Sequence, residues 1–181
     1  VILICGIHGV GKSYFCDKVK AELGLQTYSA SALITERKKS GFSSDKLIPD
    51  IDDNQQYLLS AIQDLNNTDP LYLLDGHFCL LNARGRVTRI PEETFTALNP
   101  DAIVLLTESP EVIAERRRQR DGIEHSEGEI REFQNEEIAY AKEIAEKLDI
   151  SMKVSMGAHD LADTLRFVQA TIRRVFDGRQ I

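Results

Sequence analysis

The chain has 181 residues, 42% of them apolar and 28% charged, an ordinary globular mixture long enough for one domain with a full core. That balance excludes a disordered segment, a collagen-like repeat and a disulfide scaffold. Asp and Glu outnumber Lys and Arg by 29 to 22, a formal charge of −7 that argues against broad binding to nucleic acid or to an anionic membrane.

Residues 1–5 (VILIC) form an unbroken apolar run rich in β-branched side chains, which predicts a strand buried on both faces. Gly6 and Gly9 interrupt the stretch, so it is far too short to cross a bilayer. Residues 12–23 place Phe15, Val19 and Leu23 on one side of a helix, with Gly24 where a C-cap belongs. Residues 25–28 read as a short second strand. From 29 to 67 the pattern is helical but more polar, broken by SGFSS and Pro49, with Leu58, Leu59, Ile62 and Leu65 as its later apolar face.

Residues 71–74 (LYLL) predict a third buried strand that ends in Asp75, Gly76 and His77, followed by a loop carrying Arg84, Arg86 and Arg89. Residues 102–106 (AIVLL) predict a fourth. Ser109 then reads as an N-cap, with Pro110 at the first helical position and Glu111 behind it. That helix carries Val112, Ile113 and Arg116 into a polar stretch. A second amphipathic helix follows, burying Ile130, Phe133, Ile138, Ala141, Ala145 and Leu148. Residues 150–156 alternate as a fifth strand, and Asp160 caps a last helix faced by Leu161, Leu165, Val168, Ile172 and Val175. Strands alternating with helices predict an α/β fold, a five-stranded parallel sheet covered by helices on both faces, built as one domain over residues 1–181. The three cysteines, Cys5, Cys16 and Cys79, lack CxxC spacing and read as free core thiols of a reducing, cytoplasmic setting.

Residues 6–13 (GIHGVGKS) match the phosphate-binding loop G-x-x-x-x-G-K-[ST], with a predicted strand entering and a predicted helix leaving. The glycines let successive N–H groups turn inward at phosphate oxygens, and the helix N-terminus adds partial positive charge. Lys12 is placed to reach the β- and γ-phosphates, and the Ser13 hydroxyl to ligate Mg²⁺. The chain is therefore expected to bind a nucleoside triphosphate. Asp75 is the second anchor, because ligands of open parallel sheets sit at the carboxyl ends of strands and a carboxylate there can hold Mg²⁺. His77 stands two residues on, as a phosphate or Asp75 partner or as filling at the sheet edge. His8 is expected to face solvent, and His125 and His159 are too isolated for a zinc site. The arginines 116, 117, 118 and 120 form one basic cluster and 84, 86 and 89 another, each with forked groups suited to phosphate.

Together, GIHGVGKS, LLDGHF and ALNPDAIVLLTESPEVIAERR resemble the nucleoside monophosphate kinases of the adenylate kinase group, the archaeal-type enzymes above all. The resemblance spans nearly the whole chain. It implies the three-layer P-loop NTPase fold with strand order 2-3-1-4-5, an acceptor-binding segment over about 29–67 and a closing lid over about 118–137. It implies ATP held by Gly9, Val10, Gly11, Lys12, Ser13 and Tyr14, with Mg²⁺ at Ser13 and Asp75. Arg116 is implied beside the adenine, Arg120 on phosphate, and the turn around His159 along the adenine pocket. Lys12, Asp75, Arg116 and Arg120 become the expected catalytic set, and Arg37, Lys46, His77, Arg84 and Arg86 the expected acceptor set. The chain departs from the family at His8, where Pro is frequent, and at Ile138, where an arginine is common; Arg37, Lys38 and Lys46 are the cations near the acceptor segment. AMP is the first expected acceptor. A different small-molecule, nucleoside or nucleic-acid-end acceptor, or a nucleotide-gated ATPase or binding module, remains the alternative on the same core.

Overall fold

The computed structural model describes residues 1–39, 51–82, 84–122 and 124–178, leaving aside the side chains of 51–53. The apolar run at the start becomes β1 (Ile2–Cys5), with all four residues buried. The chain continues through α1 (Lys12–Leu23), β2 (Thr27–Ser29), α2 (Ala30–Lys39), α3 (Ile51–Thr68) and β3 (Leu73–Asp75). A hairpin, β4 (Cys79–Leu81) with β5 (Val87–Arg89), and α4 (Glu92–Leu98) then lead to β6 (Ala102–Thr107). The last third is α5 (Pro110–Asp121), α6 (Glu127–Lys147), β7 (Ser151–Met156), a 3-10 turn (Gly157–Asp160) and α7 (Leu161–Asp177).

Five of these strands pair in parallel in the order β2-β3-β1-β6-β7, and helices cover the sheet on both faces. With the separate hairpin set aside, that is the expected order 2-3-1-4-5. Ile4 lies level with Asp75 on one side and Val104 on the other, so the carboxyl ends of the three central strands share one edge of the sheet. Burial explains the apolar runs: residues of β1 and β6, and Leu73 and Leu74 of β3, have helices above and below them.

Local signals set several helix ends, although Asp160, at the N-cap of α7, makes no side-chain cap there. Gly24, in the left-handed region, closes α1 with its N–H on the Lys20 carbonyl. Ser109 caps α5 by accepting from the Val112 N–H, and Ser126 caps α6 by accepting from Glu129. Gly122 ends α5.

Three expectations are corrected. The loop around Arg84, Arg86 and Arg89 is the β4–β5 hairpin, whose turn is knitted by Asn82 Oδ1 accepting from the Arg84 and Arg86 amides. Its strands have three residues each, too short to display a period of two in sequence. The second strand lies at Thr27–Ser29, with Leu25 buried ahead of it. In α6 the core-facing positions include Glu137, while Ile138 is only partly buried.

The segment 29–67 is mainly the α2–α3 pair, and Pro49 and Lys46 fall outside the described residues. The segment 118–137 is the end of α5 and the first half of α6. All three cysteines are free and buried. Among the described residues no helix is long and apolar enough to cross a membrane.

Candidate active site

The loop between β1 and α1 has the backbone its glycines predict. Gly6 has φ 140°, and a Cβ there would come within 2.5 Å of the Leu106 carbonyl oxygen, so β6 packs too closely for any other residue. Gly9 has φ 94°. Gly11 occupies the N-cap of α1 with no side-chain cap, and the first turn contains no acid. Where α5 and α6 satisfy their first amides with serines, α1 leaves its own to an incoming anion.

Lys12 is buried, and its ammonium donates to the Gly6 carbonyl at 2.7 Å. The same Nζ stands 3.4 Å from His77 Nε2 and 3.7 Å from Asp75 Oδ1. The sheet register thus joins the loop lysine to the end of β3. Burial raises the Asp75 carboxyl above its ordinary value, and the Lys12 charge pulls it part of the way back. Burial, helped by Lys12, pushes the His77 imidazole down to about 3. His77 is therefore neutral at physiological pH and accepts from Lys12 through Nε2, while its buried Nδ1 has no partner.

That shift has a sign. Between pH 6.5 and about 3 the unfolded chain takes up a proton that the folded imidazole refuses, so stability falls as pH drops through this window. Changing His77→Gln should remove about 1–2 kcal/mol of the acid-induced loss between about pH 7 and pH 5. Urea unfolding at both values measures it, and equal losses in the two proteins would contradict the buried neutral imidazole.

Glu137, not among the expected site residues, is 1% exposed at the base of this site. Its two oxygens accept from the Phe78 N–H at 2.9 Å and the Cys79 N–H at 2.6 Å, directly after His77. Burial raises its pKa, while those amides, Lys12 and the Gly6 amide oppose the rise. The signal was available: Ile130, Phe133, Glu137, Tyr140 and Ile144 keep helical spacing, so an acid occupies a core position.

On the other side of the loop, Arg116 Nη1 donates to the Gly9 and Val10 carbonyls at 3.2 and 3.1 Å, and its Nη2 pairs with Glu108. Gln134 clamps the Glu108 backbone in both directions. Gly157 of the 3-10 turn packs on the Glu108 carboxylate so closely that a Cβ would lie 2.6 Å away. His159, in that turn, is exposed and does not line the central cavity. Tyr14 is 59% exposed beside Lys18, and the Val10 side chain is in the core. Arg120 lines the cavity and pairs with Asp121. His8 is exposed at the cavity wall, as expected, its pKa lowered by burial and by Arg120, Lys12 and Arg117.

The cavity has a volume of about 650 Å³ and runs from the loop past Asp75, Gly76 and His77 to α2, α3 and α4. Its far half is lined by Ile34, Leu58, Leu80, Ile90, Phe95 and Leu98, with Ser31, Thr35, Asn54, Gln55 and Thr94 among them and Lys38 at its edge. The expected acceptor residues divide. His77 lines the cavity, whereas Arg37 is turned away, pairing with Asp64 and donating to the Ser60 carbonyl at 3.0 Å in a separate cleft between α2 and α3. Arg84 and Arg86 sit exposed in the hairpin turn, outside the cavity. Arg89 bridges Glu136 and Glu143 over the Tyr140 ring. Lys46 lies outside the described residues.

Comparison with known proteins agrees with this geometry. A family model described as an AAA domain matches residues 5–138. The chain belongs to that family. In sequence it is similar to an adenylate kinase of Thermoplasma acidophilum, 29% identical over 77% of this chain and 79% of that one. An adenylate kinase of Pyrococcus abyssi is 30% identical over 65% of this chain and 64% of its own. In fold it is similar to a gluconokinase from Sinorhizobium meliloti 1021, with a TM-score of 0.57 at 19% identity, over 99% of this chain and 94% of that one. A sugar kinase from Janibacter sp. HTCC2649 has a TM-score of 0.56 at 16% identity, over 94% and 92% of the two chains. The expected resemblance to P-loop kinases of the adenylate kinase group is borne out. The loop and the adenylate kinase relatives support a P-loop phosphotransferase, and the solved structures share its fold.

Proposed function

We propose that this chain transfers the γ-phosphoryl group of ATP to a nucleoside monophosphate, with AMP the first acceptor to test. One observation carries the reading: a single cavity connects the phosphate loop with an apolar, amide-bearing half, and Asp75 and His77 lie along the way. In this reading the polyphosphate rests on the amides of the loop, and Lys12 exchanges the Gly6 carbonyl for phosphate oxygens. The acceptor's ionised phosphate oxygen attacks the γ-phosphorus in line as the bond to the β-γ bridging oxygen breaks. That electron pair leaves with ADP, and no proton transfer is needed. Lys12, Arg116 and Arg120 supply the positive field around the transferring group.

Ser13 and Asp75 are oxygen donors on the same cavity wall and fit Mg²⁺, a hard cation that completes its shell with water and phosphate oxygens. Bound there, the ion would neutralise charge on the phosphate chain. Among the described residues no group of three His, Cys, Asp or Glu forms a cage, which suits an ion delivered with its nucleotide. Buried free thiols support a cytoplasmic setting.

A second reading has one specific observation in its favour. Arg37 is committed to Asp64 and Ser60, so Lys38 is the cation that α2 presents to the cavity. A neutral hydroxyl acceptor, a nucleoside or another small alcohol, needs no bidentate clamp, and Asp75, with its raised pKa, could then take the hydroxyl proton. A coupled assay of the purified chain with ATP, Mg²⁺ and a panel of nucleoside monophosphates, nucleosides and sugars decides. Turnover above background with a monophosphate supports the first reading, and turnover with hydroxyl acceptors alone supports the second. ATP hydrolysis indifferent to every acceptor would reject both.

The same assay tests the acceptor side. Lys38→Ala should raise the KM for a phosphorylated acceptor about tenfold, the loss of one charge-assisted contact, with the KM for ATP unchanged. Arg37→Ala should leave both values unchanged, because its guanidinium is spent on α3.

A further inference from the structure

The mechanism above leaves one cavity-lining cation unused. Of the four arginines near the end of α5, Arg116 pairs with Glu108, Arg118 with Glu115 and Arg120 with Asp121. Arg117 has no ion pair with any described carboxylate, although it is the most buried of them at 8% exposure. Its Nε donates to the His8 carbonyl at 2.8 Å. Its Nη2 is buried without a hydrogen-bond partner. Its stem lies against the phosphate loop, since a Cβ on Gly9 would meet Arg117 Cγ at 3.3 Å and Nε at 3.5 Å. Two charges face it: Arg120 adds to the burial that already disfavours its charge, and Asp121, the one opposing acid, is hydrogen-bonded to Arg120 rather than to Arg117.

A guanidinium does not shed its proton at working pH, so it stays charged even here. Burying an uncompensated charge costs more than one hydrogen bond to a carbonyl returns, and a buried donor with no acceptor adds to that cost. Sequence-distant packing of α5 on the loop has therefore assembled a cationic site that is electrostatically incomplete until an anion arrives. A carboxylate from the chain would have cancelled it, as happens at the three neighbouring arginines.

We propose that Arg117 is a phosphate-binding residue of the catalytic site, its guanidinium closing on the nucleotide's phosphate chain from the His8 side of the loop, opposite Lys12's anchorage at Gly6. The proposal rests on the nucleotide reading given above. It assigns the otherwise unpaired group a counter-charge, and it makes Arg117 a contributor to both nucleotide affinity and the charge field around the transferring group.

The test compares wild type, Arg117→Met and Arg117→Lys by thermal melting without nucleotide and by titration calorimetry with Mg²⁺-ATP. Methionine keeps the length and packing of the stem and removes the charge. The expected result is a nucleotide-free melting temperature at or above wild type, together with ATP affinity at least about tenfold weaker and kcat lowered as well. Lysine, a point charge on a similar stem, should restore part of the affinity. Unchanged ATP affinity in Arg117→Met overturns the proposal, whatever its melting temperature, and leaves Arg117 as a brace for the His8 carbonyl. If Arg117→Met is unfolded or melts lower, Arg117→Lys decides: weakened ATP binding in a folded protein supports the phosphate contact, and wild-type binding overturns it. Absence of any ATP binding by wild type would instead sink the nucleotide reading itself, and this proposal with it.

Discussion

Replacing Lys12 by Ala is expected to lower kcat/KM for ATP by about a thousandfold or more, with the protein still folded. The lysine is buried between the Gly6 carbonyl, His77 and Asp75, which fix its charge beside the end of β3. In its absence two penalties act together. The phosphate chain loses the charge-assisted contact nearest the carboxyl ends of β1 and β3. Asp75 also loses the charge that offsets its burial, and its carboxyl rises further from its ordinary value, which weakens it as an oxygen donor to a cation. Stability should change little, because the Lys12–Asp75 pair at 3.7 Å is loose and Asp75 keeps contact with solvent. A coupled assay with a circular-dichroism melt measures both quantities. A folded Lys12→Ala protein with activity within tenfold of wild type would show that the loop does not do the work assigned to it.

The second large effect concerns stability rather than chemistry. Glu137→Ala should cost about 3–5 kcal/mol, a large share of the roughly 5–15 kcal/mol that a domain of this kind has in total. The carboxylate is buried and holds the Phe78 and Cys79 amides, which the substitution would leave without acceptors. Glu137→Gln keeps the volume and one acceptor oxygen but turns an NH₂ towards one of those donors, so about half the loss is expected. Urea unfolding with unchanged slope reads it directly. Because Phe78 follows His77, loosening this anchor should also displace Asp75 and His77 and depress kcat in the surviving Gln variant. Loss of less than about 1 kcal/mol for Glu137→Ala would mean that water or another group satisfies those amides.

Much of the fold is legible in the sequence. The loop of residues 6–13 combines an entering apolar run, glycines at the positions that need them and a helix behind, all of it local information. Gly24 and Ser109 bound helices through contacts within a few residues, which sequence reading is suited to find. The alternation of buried strands with amphipathic helices carried the strand order through the family resemblance. What escaped was of two kinds. The three-residue strands of the hairpin and the seven-residue α4 are too short for periodicity, and α4 brings Thr94 and Phe95 to the cavity wall. The other kind is side-chain direction.

Residue type alone made Arg37, Arg84 and Arg86 as eligible for phosphate as Arg116 and Arg117. Packing separated them: α3 offers Asp64 and the Ser60 carbonyl to Arg37, while the hairpin turn holds Arg84 and Arg86 away from the cavity. On α5, successive arginines point about 100° apart, so the placement of the loop against that helix decides which one is buried beside Gly9 and which reaches solvent. By itself, then, the sequence determined the phosphate loop, the α/β alternation and the helix ends marked by Gly24 and Ser109, because backbone conformation and capping are governed by near neighbours. Only the tertiary structure decided that Glu137 anchors the segment after His77, that Arg117 lies buried without a counter-charge and that Arg37 faces away from the cavity. Those outcomes depend on which element lies across from each side chain, and that is set by the packing of distant segments.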